Sequence, residues 1–233
     1  MARLGRGFPN NPIMRAPILV KAGPRWDSTG AGAVQTPTWT HTMGPLVNAV
    51  VVLGYWVTNS GSGNALVSVN GTSVPTVTGG TIGSYGSGTL YSGGGGYYGY
   101  LFSYALLNPP TGAQTFTLSL PGGTSWDYAF NSFAYTNVKS IGTGTSATGA
   151  SLNAALSMTL TPNQIAVGAF GGATNATTGT GFSNFAPVQR WNQAPVSGKA
   201  YPIAAGESTT GQFSATAPNA SPSWGCVAVP LAA

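Results

Sequence analysis

A chain of 233 residues, 42% hydrophobic and 11% aromatic, is long and apolar enough to bury a core, which excludes an intrinsically disordered protein. Only 5% of it is charged, against about 25% in an average soluble domain, so its polarity rests on Gly, Ser, Thr and Asn and its surface gives weak electrostatic protection against association. The net charge of +5 comes from eight basic and three acidic residues, which leaves few groups for acid–base chemistry and no dense basic patch to argue for nucleic acid.

Residues 1–44 read as an extended arm, because Pro9, Pro12, Pro17, Pro24 and Pro37 fix φ and remove backbone donors while no periodicity emerges. Five of the eight basic residues lie here, and Arg3, Arg6, Arg15, Lys21 and Arg25 are the candidate assembly contacts. No apolar stretch of secretory length follows the first arginines, and the longest apolar run, 49–57, falls far short of the roughly 20 residues that cross a bilayer. The expectation is a protein with no export signal and no membrane insertion.

The fold proper is expected to begin near Pro45 and to form one β-sandwich over 45–233. Leu46 to Val57 reads as a central strand buried on both faces. Asn70-Gly71, between Leu66–Val69 and Thr72–Val74, predicts a two-residue hairpin turn, since Asn and Gly tolerate the two positive φ values it needs. Residues 79–99, with ten Gly around Tyr85, Tyr91, Tyr97 and Tyr98, read as a long loop.

Further strands are expected over 98–107, 114–120, 128–135, 152–160, 164–170, 187–191, 201–205, 212–217 and 224–231, with Pro-Gly clusters as turns between them. The total is roughly ten to twelve antiparallel strands, the spacing of an all-β sandwich or jelly roll. No helix and no fixed-period repeat is expected.

Chemistry is sparse. Asp27, Asp127, Glu207 and His41 are the titratable candidates. A glycosidase would need Asp127 and Glu207 as its carboxylate pair, but turn positions explain both residues more simply. A Ser-His-Asp arrangement through His41 and Asp27 lacks any Gly-x-Ser-x-Gly elbow. Cys226 stands alone in the apolar run 224–229 and reads as a small buried hydrophobe. One Cys and one His build no zinc site, and carboxylate clusters for calcium are missing, so neither metal nor cofactor is expected.

The tyrosines are the one feature that suggests a ligand. Flat rings with polar edges bind sugars and proteins alike, which makes Tyr85, Tyr91, Tyr97 and Tyr98 candidate contacts for a protein partner or a host cell-wall glycan. Trp56, Trp126, Trp191 and Trp224 fall in or beside strands and are expected in the core.

Several segments resemble minor tail proteins of siphophages that infect mycobacteria and related actinobacteria. They are the opening Met1 to Ile13, Ala49 to Gly54, Pro110 to Leu120, Ser132 to Val138, Gln189 to Asn192 and Trp224 to Leu231. The resemblance implies a structural, non-enzymatic virion component near the tail, present in several copies and contacting other tail or head subunits, with no catalytic motif. A host-glycan binding module and a capsid decoration protein are the alternatives.

Overall fold

The computed structural model describes residues 17–22, 26–29, 38–58, 66–71, 80–81, 83–85, 89–93, 97–119, 125–173, 181–193, 202–218 and 223–233. Every regular element among them is a strand, and all pairing is antiparallel. The first half of the chain forms β1 (Ile18–Ala22), β2 (Trp26–Thr29), β3 (Thr38–Met43), β4 (Ala49–Thr58), β5 (Leu66–Gly71), β6 (Gly80–Thr81), β7 (Gly83–Ser84), β8 (Thr89–Gly93), β9 (Tyr97–Leu107), β10 (Gly112–Ser119) and β11 (Ser125–Thr136). The second forms β12 (Ser140–Ile141), β13 (Thr145–Gly149), β14 (Asn153–Ser157), β15 (Gln164–Ala173), β16 (Ser183–Ala186), β17 (Val188–Gln193), β18 (Ile203–Ser208), β19 (Gln212–Thr216) and β20 (Ser223–Ala232).

The strands make four sheets. Sheet A has the order β1-β11-β4-β9-β7, with β2 also on β11 and β8 also on β9; sheet B is β3-β10-β5-β6. Sheet C is β12-β20-β15-β18-β17, with β13 also on β20; sheet D is β14-β19-β16. Three apolar layers lie between them. One joins A to B through Val50, Val52, Trp56, Phe116 and Leu118. A second joins C to D through Ala166, Phe170, Phe213 and Ala215, and the third joins A to C through Leu53, Leu101, Phe133, Val167, Ala205 and Leu231. The layers therefore stack B–A–C–D, as two sandwiches set back to back.

The alternation of side chains explains this stack. In β4, Val50, Val52 and Trp56 point toward sheet B while Val51, Leu53, Tyr55 and Val57 point toward sheet C. Both faces are apolar, so Ala49 through Val57 is a continuous buried run, as the sequence suggested. Sheets B and D are covered on one side only. Their strands alternate accordingly, with Thr38, Thr40 and Thr42 of β3 outward and Trp39, His41 and Met43 inward. Asn153, Ala155 and Ser157 of β14 likewise point outward, and Ala154 and Leu156 inward. Aromatic side chains fill the layers between A and B and between C and D. Trp39 stacks on Phe116 at 5.1 Å between centroids, Trp56 stacks on Tyr100 at 4.9 Å, and Phe170 meets Trp224 edge-on at 6.0 Å.

The two sandwiches share one topology. β11-β4-β9 in sheet A corresponds to β20-β15-β18 in sheet C, β3-β10-β5 in sheet B to β14-β19-β16 in sheet D, and the split edge β1/β2 to β12/β13. Residues at matching ladder positions recur. Gly54 lies opposite Phe130 and Phe102, and Gly168 opposite Ala228 and Gly206. Thr111-Gly112 and Thr210-Gly211 each open the return strand of the outer sheet, with both glycines left-handed at φ 90 and 77. Each of these glycines faces a methionine: Gly112 pairs with Met43, and Met158 N–H donates to Gly211 O at 2.9 Å. Ser125-Trp126 starts β11, and Ser223-Trp224 starts β20.

The two halves thus repeat one topology without a fixed sequence period. The halves correspond in ladder position and differ in most side chains, so a search for a fixed period finds nothing.

Several expectations change. Among the described residues twenty strands appear instead of ten to twelve, because edges are built from short pieces such as β6, β7 and β12. The body does not begin near Pro45: β3 places Trp39, His41 and Met43 in the layer between A and B, and β1 and β2 pair with β11. Asn70-Gly71 is not the turn. β5 runs through both residues, which pair with Thr115 and Gln114, because the ladder to β10 continues past the local turn signal. The expected partner Thr72–Val74 lies outside the described residues.

Candidate functional site

A polar group built on a buried tyrosine and a buried carboxylate sits between the two sandwiches. Tyr135, on β11, points from sheet A toward sheet C and is fully buried. Its hydroxyl donates to Glu207 Oε1 at 2.9 Å. Glu207, on β18, is 9% exposed, and its Oε2 accepts Arg190 Nε at 3.0 Å and Nη2 at 2.8 Å. Arg190 is the extra residue of a bulge in β17, between Gln189 opposite Gly206 and Trp191 opposite Ala205. A bulge re-aims the side chain it carries, and here it turns the guanidinium onto the neighbouring strand's carboxylate. The pairing satisfies the carboxylate from two sides, which is what a charge at this depth requires. Burial first, then the Glu207 charge, holds the Tyr135 hydroxyl well above its ordinary value of 10.0, so it stays protonated and donates.

A second buried group lies between sheets A and B. Ser132 Oγ, on β11, accepts Trp39 Nε1 at 3.1 Å and lies 2.8 Å from His41 Nδ1. Ser132 and His41 are 0% and 1% exposed, so the Ser–His contact has no opening to a substrate. It ties sheet B to sheet A inside an apolar layer. Asp27 pairs through its backbone with Ala129 on the same strand, and its side chain is outside the described set.

The other sequence candidates fall as follows. Glu207 and Asp127, read as turn residues, both lie in strands, on β18 and β11. The tyrosines, read as loop residues, also sit on or beside strands. Tyr91 lies in β8 opposite Gly99, Tyr97 starts β9 opposite Gly93, and Tyr98 follows it. Tyr85 directly follows β7, where its N–H donates to Ser103 O at 3.0 Å and its own carbonyl accepts the Ser103 hydroxyl.

Tyr85 packs against the layer between A and C, and Tyr98 against the layer between A and B, so these two rings serve different cores and do not converge on one surface. A Gly-rich composition suggested a loop, but pairing with β9 overrides it. Lys21 lies in β1, next to a register shift opposite Ala134. Arg3, Arg6, Arg15 and Arg25 lie outside the described residues. Among the described residues no group of three His, Cys, Asp or Glu could hold a metal ion.

Trp56, Trp191 and Trp224 are buried, and so is Cys226, whose thiol burial pushes up from its ordinary value. The Tyr135–Glu207–Arg190 group was missed. Its members are far apart in sequence, and the only signal was strand parity, which puts Glu207 on the same face of β18 as the apolar Ile203 and Ala205. Compared with protein-family models, curated proteins and solved structures, the chain finds no match.

Proposed function

We propose that the protein is a structural component of a bacteriophage virion, a minor tail protein that works by contact with other virion proteins and with further copies of itself. It is assembled in the host cytoplasm, comes to reside in the tail and performs no catalysis. The observation that carries this reading is where the polar chemistry lies. The described titratable cluster is spent on holding the two sandwiches together, while the outer faces of sheets B and D present short uncharged side chains such as Thr40, Thr42, Ser157 and Ser214. Neutral faces of this kind suit a molecule enclosed by neighbours. The segments that resemble siphophage minor tail proteins support it further, since they fall on β4, β10, β11, β17 and β20 and so run through both sandwiches.

Gold-labelled antibody electron microscopy of intact particles tests the reading. Label at the tail is the expected result. Label over the head would replace it with a decoration role, and absence of label from every particle would end the virion reading. The anchoring role of the N-terminal segment needs a narrower deletion than residues 1–44, because β1 to β3 belong to the sheets. Removal of residues 1–16 is expected to leave a folded body that no longer enters particles; normal incorporation would move anchoring to the body. A glycan site built on the tyrosines loses support, since Tyr85 and Tyr98 face different cores.

A further inference from the structure

We propose that Tyr135, Glu207 and Arg190 determine which partner sheet A accepts, selecting sheet C of the same chain on an interface that would otherwise also admit a second copy of this protein. The repeated topology creates the need. Sheets A and C follow one topology, and their facing surfaces are apolar at matching places: Leu53, Leu101 and Phe133 on one, Val167, Ala205 and Leu231 on the other. β9 packs against β20, and β11 reaches β18 through the Tyr135–Glu207 hydrogen bond, so each sheet meets the other along strands that hold corresponding places in the two halves. Apolar contact of this kind does not discriminate between C and another copy of A, because the hydrophobic effect is non-directional.

The polar group breaks the equivalence. The ladder position of Glu207, opposite Val167, is held in sheet A by Ser103, opposite Leu53. That of Tyr135, opposite Ala49, is matched in the second half by Ala233, whose N–H donates to Asn163 O at 3.2 Å. An A-to-C contact therefore sets a phenol against a carboxylate. A C-to-C contact between two chains would set the Glu207 carboxylate against Ala233, removing its tyrosine donor, and an A-to-A contact would lack the charged acceptor altogether. The connection from Thr136 to Ser140 adds a physical bias toward the same chain, since Asn48 clasps Val138 from both sides at 2.8 and 3.1 Å and keeps the halves adjacent. Tether and chemistry act on the same choice, one through proximity and the other through identity.

The test refolds full-length chains carrying donor or acceptor dyes, mixed in equal amounts, and reads intermolecular energy transfer together with sedimentation velocity. Glu207→Gln and Tyr135→Phe are expected to raise the exchanged, second-copy fraction at least threefold over wild type. Phe213→Leu, in the layer between C and D, serves as the control for lost stability and is expected to leave that fraction unchanged at a comparable fall in Tm. Should Glu207→Gln fail to fold, Tyr135→Phe, which removes only one hydroxyl, carries the test alone. Equal exchange in wild type and variants, or an equal rise in the Phe213 control, overturns the proposal.

Discussion

Gly54 exists because a ring needs its space. A Cβ there would come within 2.2 Å of Phe130 Cδ1, a distance no small adjustment relieves. Gly54→Ala is expected to destabilise the protein by about 3 kcal/mol or more by forcing Phe130 off its rotamer, and chemical denaturation will read the loss as a lower midpoint at unchanged slope. Tyr135 makes a prediction in pH. Its folded pKa lies above the unfolded value of 10.0, so its contribution is complete below that pH and declines as pH rises further. Tyr104 is buried and raised in the same direction. The ionisation of Tyr104 and Tyr135 is therefore expected to accompany unfolding above about pH 10, and Tyr135→Phe is expected to flatten that loss of stability. At Cys226 a thiol reagent is expected to react at the rate of unfolding and no faster, because the sulfur is buried and its pKa raised.

Among the strands, legibility followed burial. β4, β19 and β20 were readable because long apolar or alternating runs survive whatever the neighbours do. Asn70-Gly71 and the tyrosine segment were misread because their local signals say turn and loop, while the ladders of β10 and β9 recruit them as strands. Pairing partners far away in sequence decide such segments, and one sequence read by itself does not contain them. β3 shows the cost of the opposite error. Its Thr38-Trp39-Thr40-His41-Thr42-Met43 alternation is a strand signal, but the flanking Pro37 and Pro45 make it look like part of an extended arm. The strand's attachment is testable: Ser132→Ala removes the acceptor of Trp39 Nε1 and the partner of His41 Nδ1, and is expected to cost about 2 kcal/mol in thermal or denaturant unfolding.

At the level of the whole molecule, the all-β class was visible in composition, but the division into two like sandwiches was not. The repeat is written in ladder positions such as Gly54 and Gly168, or Met43 and Met158, which take on meaning only once strands are paired. The polar group at the interface was hidden for the same reason, since Tyr135, Arg190 and Glu207 meet only after both sandwiches have formed. Glu207→Ala leaves the Tyr135 hydroxyl without its acceptor and is expected to cost about 2 kcal/mol, in a single transition if the shared layer makes the halves unfold together. A calorimetric trace that splits in two would show each sandwich standing alone.

The order of the halves along the chain also sets a clock. Every strand of sheets A and B lies at or before Thr136, and every strand of sheets C and D lies after it. At a synthesis rate of about 5–20 residues per second, the remaining stretch of roughly 100 residues takes about 5–20 s to emerge. During that interval the apolar back of sheet A has no cover from its own chain. Ribosomes translating the same message side by side present several such surfaces at once, so the newborn protein is most exposed to trapping by its siblings before its second half has been made.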